Sequence, residues 1–322
     1  MTRPSSRSAD RVAVTGGAGF IGSHTVELLV ATNAKVLVID DDSHSCGVGL
    51  PAEVETWLAD CGSAEAADAL AAFRPTVVLH LASKGGVQKA ARDPSAHVKS
   101  SLASTVALFN AAVRAGARRI VTASSGGTIY GDAQHLPARE TSPSAPRSAY
   151  GAAKLAEEVY LAAFGRRYGV STLALRYGNV YGPRQDGTGE AGMVAITCHR
   201  LLSGERPRIY GDGLQTRDFT YVGDVARANV AAIAARRSGA VNVGTGRETN
   251  VDQVARLLSA GAGGDQHIDH EPAREHEVRR VCLDPTRAAR WLGWTPKVEI
   301  ADGLSETWSW FCKRPHAPGI TQ

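Results

Sequence analysis

No stretch of this 322-residue chain approaches the run of about 18 apolar residues that a membrane-spanning helix requires. The opening MTRPSSRSAD carries arginines with no apolar segment behind them, so residues 1–9 are no secretory signal and, like 315–322, read as frayed tails. Cysteine is sparse: Cys46, Cys61, Cys198, Cys282 and Cys312 form no CxxC pair and share no regular spacing. That argues against a disulfide framework and for reduced thiols in the cytoplasm. Charge of one sign is also lacking, since 36 Lys and Arg face 32 Asp and Glu for a net +4. With no basic block and no aromatic-interleaved stripe, a nucleic-acid partner is excluded. Internal repeats and low-complexity tracts are absent too.

What is present is alternation. RVAVTG, KVLVIDD, VETWLADC, TVVLHLAS, RIVTASS and STLALRY are short, continuous apolar strands. Between them lie SHTVELLVATN, AEAADALAAF, the stretch from about Pro94 to Arg114, and AYGAAKLAEEVYLAAFGRRYG. Such strands separated by helices predict an α/β fold, a doubly wound parallel sheet covered on both faces. After Gly182 the pattern breaks into glycine- and proline-rich segments. Residues 10–178 therefore read as a dinucleotide-binding domain to which 222–246 return, with 179–221 and 247–314 forming a smaller cap.

TGGAGFIGSH follows the first strand and opens a helix, with Gly16, Gly19 and Gly22 three apart, and Gly17, Gly19 and Gly22 satisfying GxGxxG. Glycine suits a tight turn and lets backbone approach a pyrophosphate, while the helix N-terminus offers free N–H groups. Phe20 and Ile21 flank that contact. Asp40 closes the second strand 18 residues beyond Gly22, where a carboxylate binds the ribose hydroxyls. It would repel a 2′-phosphate, so NAD is expected over NADP. Asp60, beside Cys61, either binds the adenine amino group or caps a strand end. Leu81 and Ala82 of HLAS fall at the cofactor, and Lys84 either reaches a cofactor ribose or is a solvated loop lysine.

Tyr150 and Lys154 lie four residues apart on a helix, hence on one face. An ammonium about 4.5 Å from a phenol, at an effective dielectric of about 20, favours the phenolate by roughly 3–4 kcal/mol. That is about 2–3 pKa units, enough to make the tyrosine a general base near neutrality.

With TGGAGFIGSH, HLAS, SSGGTIYGD, SAYGAAK, LRYGNVYGPRQ, IYGDGLQTRDFTYVGDVARA, VNVGTG and LGWTP in this order, the chain resembles the extended short-chain dehydrogenase/reductase family. Within it, the pattern is similar to the nucleotide-sugar 4-epimerase and 4,6-dehydratase group. The resemblance implies a Rossmann domain holding NAD and Tyr150 and Lys154 as catalytic and cofactor-contacting residues. It also implies a serine that hydrogen-bonds the reacting sugar oxygen: Ser125, or Ser124. The 4,6-dehydratases follow this hydroxyl with an Asp-Glu pair. Here Gly126-Gly127-Thr128 stand instead. Elimination of water needs an acid and a base, so the implied reaction is 4-epimerisation of a UDP-hexose, 2-acetamido and uronic-acid forms included. A dehydratase with relocated groups, another sugar-nucleotide oxidoreductase and a catalytically silent NAD-binding regulator remain as alternatives.

By the same resemblance Arg217 and Arg274 contact the diphosphate and Asn179 lies at the diphosphate end of the sugar nucleotide. Val281, seven residues after Arg274, occupies the place of a bulky tyrosine in narrow-pocket epimerases, leaving room for an acetamido group. The family's dimer implies a four-helix bundle from the helix around Ser100–Val113 and the one carrying Tyr150. No metal is expected: His267, His270 and His276 lie in a loop setting without thiolates.

Overall fold

The strand RVAVT is buried on both faces because its alternate residues serve two different cores. Val12 and Val14 point into one, and Ala13 into the other. The same holds along β2 (Lys35–Asp40), where Val36 and Val38 oppose Leu37 and Ile39. The computed structural model, which describes residues 10–188, 192–263, 267–274 and 277–313, shows the reason. Around β1 (Arg11–Thr15) and β2 run β3 (Glu55–Leu58), β4 (Val77–His80), β5 (Arg119–Ser125), β6 (Ser171–Tyr177) and the strand Gly239–Val243. They form one seven-stranded parallel sheet in which β1 lies between β2 and β4. Towards one edge it continues β2, β3; towards the other β4, β5, β6 and Gly239–Val243. The strand order therefore reverses at β1, and its C-terminal end opens into a crevice.

Helices α1 (Phe20–Ala31) and Val222–Ala234 cover one face, with Val26, Leu29, Val225 and Ala228 in its core. On the other, α2 (Ala64–Phe73), Ala103–Arg114 and the Tyr150 helix (Ala149–Tyr168) contribute Leu70, Phe73, Leu108, Phe109 and Leu161. The stretch from Pro94 to Arg114, read as helical, is helical throughout, with a π turn Val98–Leu102 set between Pro94–His97 and Ala103–Arg114. Single π turns recur at functional sites.

A third core, with Tyr181, Val194, Cys198, Phe219, Val254, Leu258 and Phe311, lies in the segments read as the cap. Within 247–314, however, Ala288 and Trp294 sit in the core of the sheet domain. The LGWTP turn docks there because Asp224, at the start of Val222–Ala234, is nearly fully buried and needs donors. Its carbonyl accepts the Trp294 indole N–H at 2.8 Å, and its carboxylate accepts the Lys297 and Val298 amides at 2.7 and 3.0 Å.

Asp218 does the same at the junction of the two parts. Its carboxylate is wholly buried and accepts from the Thr245 amide and hydroxyl (both 2.7 Å), the Gly246 amide (3.1 Å) and the Leu283 amide (3.0 Å). Its carbonyl accepts the Asn179 amide at 2.7 Å. Asp218→Ala leaves these buried donors unpaired and is expected to cost about 3 kcal/mol, read as a midpoint lowered in urea denaturation with an unchanged slope.

Candidate active site

The crevice at the end of β1 is a cleft of about 830 Å³. It is lined by Gly16, Gly19, Phe20, Ile21, Gly22, Asp40, Cys61, Leu81, Ala82 and Lys84 among others. Gly16 has φ +72°, and a Cβ on it would meet the Ala82 amide at 2.6 Å, so the first loop presses against HLAS. A Cβ on Gly22 would run into the Gly16 carbonyl. No side chain caps α1, which leaves its first-turn N–H groups for an anion. Asp40 accepts the Ala18 amide at 2.9 Å and the Asp42 amide at 3.0 Å, fixing a carboxylate at the mouth. These features fit a dinucleotide with an unmodified ribose. Across the cleft, Arg184, Gln185 and Asp186 form a second wall. It is tied to α1 by Arg184–Glu27 at 2.7 Å and by His24 Nε2 with the Pro183 carbonyl at 2.9 Å.

Lys84, about a third exposed, is not free, because its ammonium pairs with Asp60 and, at 3.2 Å, with Asp41. Burial works to raise both carboxyls, but Lys84 and nearby donors outweigh it and hold both below the usual range. Asp60 also accepts the Gly62 amide at 2.8 Å, so it is both turn cap and ion-pair partner. The Cys61 thiol is pushed up to about 12, by burial first and Asp60 next, and stays protonated.

Ser148 caps the Tyr150 helix, accepting the Gly151 amide at 3.1 Å. Tyr150 is thereby in the first turn and Lys154 in the second, with the ammonium 6.0 Å from the phenol ring centre. Lys154 is buried, and burial alone would lower its pKa. The Glu157 carboxylate, 2.9 Å away and equally buried, more than offsets this and raises it. Glu157 in turn accepts from Ser101 on the π turn at 3.3 Å, and Ser101 lines the cleft. Tyr150 and Lys154 are not themselves in the cleft lining. Two imidazoles stand close by. His97 has its ring centre 6.0 Å from that of Tyr150, and burial and then Lys154 lower its pKa. His80, held between Thr15 and Thr105 at 2.7 and 2.9 Å, is pushed down to about 3 by burial and by Lys154.

The two serines separate. Ser124 is buried and donates to Glu158 at 2.5 Å, and Glu158 pairs with Arg176 at 2.7 Å. Arg176 bonds the Tyr130 hydroxyl at 2.8 Å, which donates to Asn242 at 2.7 Å. Ser125 is half-exposed and makes no cap bond to the turn Gly126–Ile129 that follows it. A Cβ on Gly127 would stand 3.4 Å from the Asn179 amide oxygen and 3.9 Å from the Ser125 hydroxyl. The Asn179 oxygen is buried without a partner among the described residues. The Tyr150 helix rests on the same turn, since a Cβ on Gly151 would lie 2.9 Å from the Thr128 carbonyl. Ser125, Asn179 and the start of that helix are therefore neighbours. A Cβ on Gly126 would meet the Leu283 methyls at 2.5 and 2.8 Å, so an Asp cannot occupy that place unless Leu283 moves.

Arg217 pairs with Glu277 at 2.5 Å, which brings the segment after Arg274 to it. Arg274 stacks on Tyr210 at 3.9 Å. Val281 is buried, its amide donating to the Thr216 carbonyl at 3.2 Å, next to Arg217. Among the described residues no cluster could hold a metal and no helix is long and apolar enough to cross a membrane. His276 lies outside them. Glu157, Ser101 and His97 escaped the sequence reading. Only the i,i+3 spacing of Lys154 and Glu157 signalled the first.

Residues 12–244 match the model of the NAD dependent epimerase/dehydratase family, and the chain belongs to that family. It is 39% identical to the UDP-glucose 4-epimerase of Mycolicibacterium smegmatis over 94% of this chain and 98% of that protein. The structure of a UDP-glucose 4-epimerase from Thermotoga maritima with UDP-glucose superposes with a TM-score of 0.91 at 39% identity, over 94% of this chain and 99% of that one. A UDP-glucose 4-epimerase from Thermus thermophilus, in complex with NAD, gives 0.89 at 38% identity with the same coverage.

The serine geometry yields opposite expectations. Ser124→Ala removes one of the donors to Glu158, whose oxygen keeps the Arg176 bond at 3.0 Å, and is expected to lower stability by about 1 kcal/mol with little loss of turnover. Ser125→Ala is expected to leave the melting curve in place and lower kcat about 10- to 100-fold. Thermal denaturation and steady-state kinetics of both variants check this.

Proposed function

We propose that the chain is an NAD-dependent nucleotide-sugar 4-epimerase acting on a UDP-hexose. The observation that carries this reading is the site's asymmetry. Ser125 and the first turn of the helix that carries Tyr150, with Lys154 one turn on, meet at the Gly126–Ile129 turn, which offers neither the acid nor the base that elimination needs. The NAD cofactor, when bound, takes up and returns the hydride at C4. Tyr150 accepts the C4 hydroxyl proton as the hydroxyl is oxidised and gives it back when the 4-keto sugar is reduced on its other face. Lys154 places a positive charge beside the phenol, which favours its deprotonated form, and Ser125 hydrogen-bonds the reacting oxygen. Gly16, Gly19, Gly22 and α1 hold the cofactor diphosphate, with Phe20 and Ile21 beside it, while Asp40 holds a ribose. Asp60, Cys61, Leu81, Ala82 and Lys84 line its remaining length. Asn179, Arg217 and Arg274 hold the substrate's diphosphate end, the guanidiniums offering paired donors to phosphate.

Residues 10–178 with 222–246 act as the cofactor domain, and 179–221 with most of 247–314 as the substrate cap, the segment of Ala288 and Trp294 packing into the cofactor domain. The protein works in the cytoplasm, a reducing compartment that suits its free cysteines. It pairs as a homodimer through a four-helix bundle of Ser100–Val113 and the Tyr150 helix, whose Val159 and Tyr160 are exposed at 61% and 45%.

Purified protein given UDP-glucose without added cofactor is expected to yield UDP-galactose by NMR. Tyr150→Phe should lower the rate about 10²- to 10⁴-fold. A 4-keto-6-deoxy sugar as the product would overturn the reading. At the C2 pocket, wild type is expected to turn over UDP-N-acetylglucosamine. Val281→Tyr should lose that substrate at least tenfold while keeping UDP-glucose, checked by kcat/KM for each.

A further inference from the structure

The ion pair behind the catalytic tyrosine is unusual in kind. A buried ammonium whose task is to stabilise a phenolate should be spared a carboxylate, because a neighbouring anion weakens its field. Yet Lys154 Nζ stands 2.9 Å from Glu157 Oε2, and the two side chains are only 4% and 1% exposed. The carboxylate is no loose surface group. Its other oxygen is fixed by the Ser101 hydroxyl at 3.3 Å, which comes from the π turn Val98–Leu102. Cleft wall, carboxylate, ammonium and tyrosine are thus joined in series.

The other groups around Lys154 leave Glu157 as its chief counter-charge. On the turn before the π segment stands His97, with Lys89 behind it; on β4, His80; after β3, Cys61, backed by Asp60, Lys84 and Asp41. Both imidazoles are disposed to stay neutral and Cys61 to stay a thiol, so none of the three supplies an anion at neutral pH. Asp60 and Asp41 are already taken by Lys84.

Resting on the epimerase reading, we infer that Glu157, anchored by Ser101, is a positioning residue that holds the Lys154 ammonium in place and tempers its field on Tyr150, so setting the pH range in which the tyrosine can both take and return a proton. A base made too acidic by an unopposed ammonium would accept the proton poorly. An ammonium buried without a partner would lose its own.

Glu157→Gln keeps the shape and an oxygen for Lys154 but removes the charge. The phenol of Tyr150 is expected to titrate about one pH unit lower than in wild type. This is read as tyrosinate ultraviolet absorbance of the NAD-loaded enzyme, each protein corrected by its own Tyr150→Phe form. Both limbs of the kcat/KM profile should move the same way, the alkaline limb because Lys154 loses its proton earlier. Glu157→Asp should restore part of the shift, and Ser101→Ala, which frees the carboxylate without removing it, should give a smaller shift in the same direction. A phenol titration unmoved, or moved to higher pH, overturns the inference even if the variant is slow. Should Glu157→Gln not fold, Ser101→Ala decides alone: a profile and phenol titration superposing on wild type refute it. The titration needs no turnover, so a wild type that epimerises no sugar would refute the function and leave this test standing.

Discussion

The arrangement depends on one buried carboxylate. Asp218 follows Arg217 in sequence, has no exposure, and is satisfied by donors from Thr245, Gly246 and Leu283 while its carbonyl receives Asn179. Four separate segments are tied at one residue. Because an unpaired buried carboxylate is costly, they come together or not at all. This tie places Asn179 against the Ser125 turn, Arg217 beside the end of the chain that carries Val281, and Leu283 under Gly126.

Charge in the site is managed by isolation. Lys84 is absorbed by Asp41 and Asp60, Arg176 by Glu158, Arg217 by Glu277 and Lys154 by Glu157. Burial drives the nearby His80 towards neutrality and keeps Cys61 protonated. In such surroundings the effective dielectric is low, and a substrate diphosphate or a positive nicotinamide ring would be felt strongly. The tyrosine therefore responds to a few defined charges rather than to solvent.

The sheet was legible in the sequence because each strand is a short apolar run bounded by turns, and burial on both faces leaves no alternation to confuse it. The glycine loop and the Tyr150–Lys154 spacing were legible because their chemistry is local. Whether Ser124 or Ser125 is free was not, since it turns on Glu158, 34 residues from Ser124, and on an arginine in β6. Lys84 read equally well as solvent-facing, because its partners come from two other loops. The π turn at Val98–Leu102 and the buried state of Glu157 depend on packing between helices distant in sequence.

The Gly126–Leu283 contact has a consequence for how this scaffold can change. Leu283 fills the volume where a carboxylate-bearing side chain would begin, and its amide is also held by Asp218. An acid introduced there would meet the Leu283 methyls, the far ends of a flexible side chain, which must turn aside to admit it while the backbone stays held. A move from inversion of a hydroxyl to expulsion of water by this route would therefore require the leucine to repack as the glycine grows. The methyl groups of one leucine thus set a packing condition on any acid introduced beside Ser125.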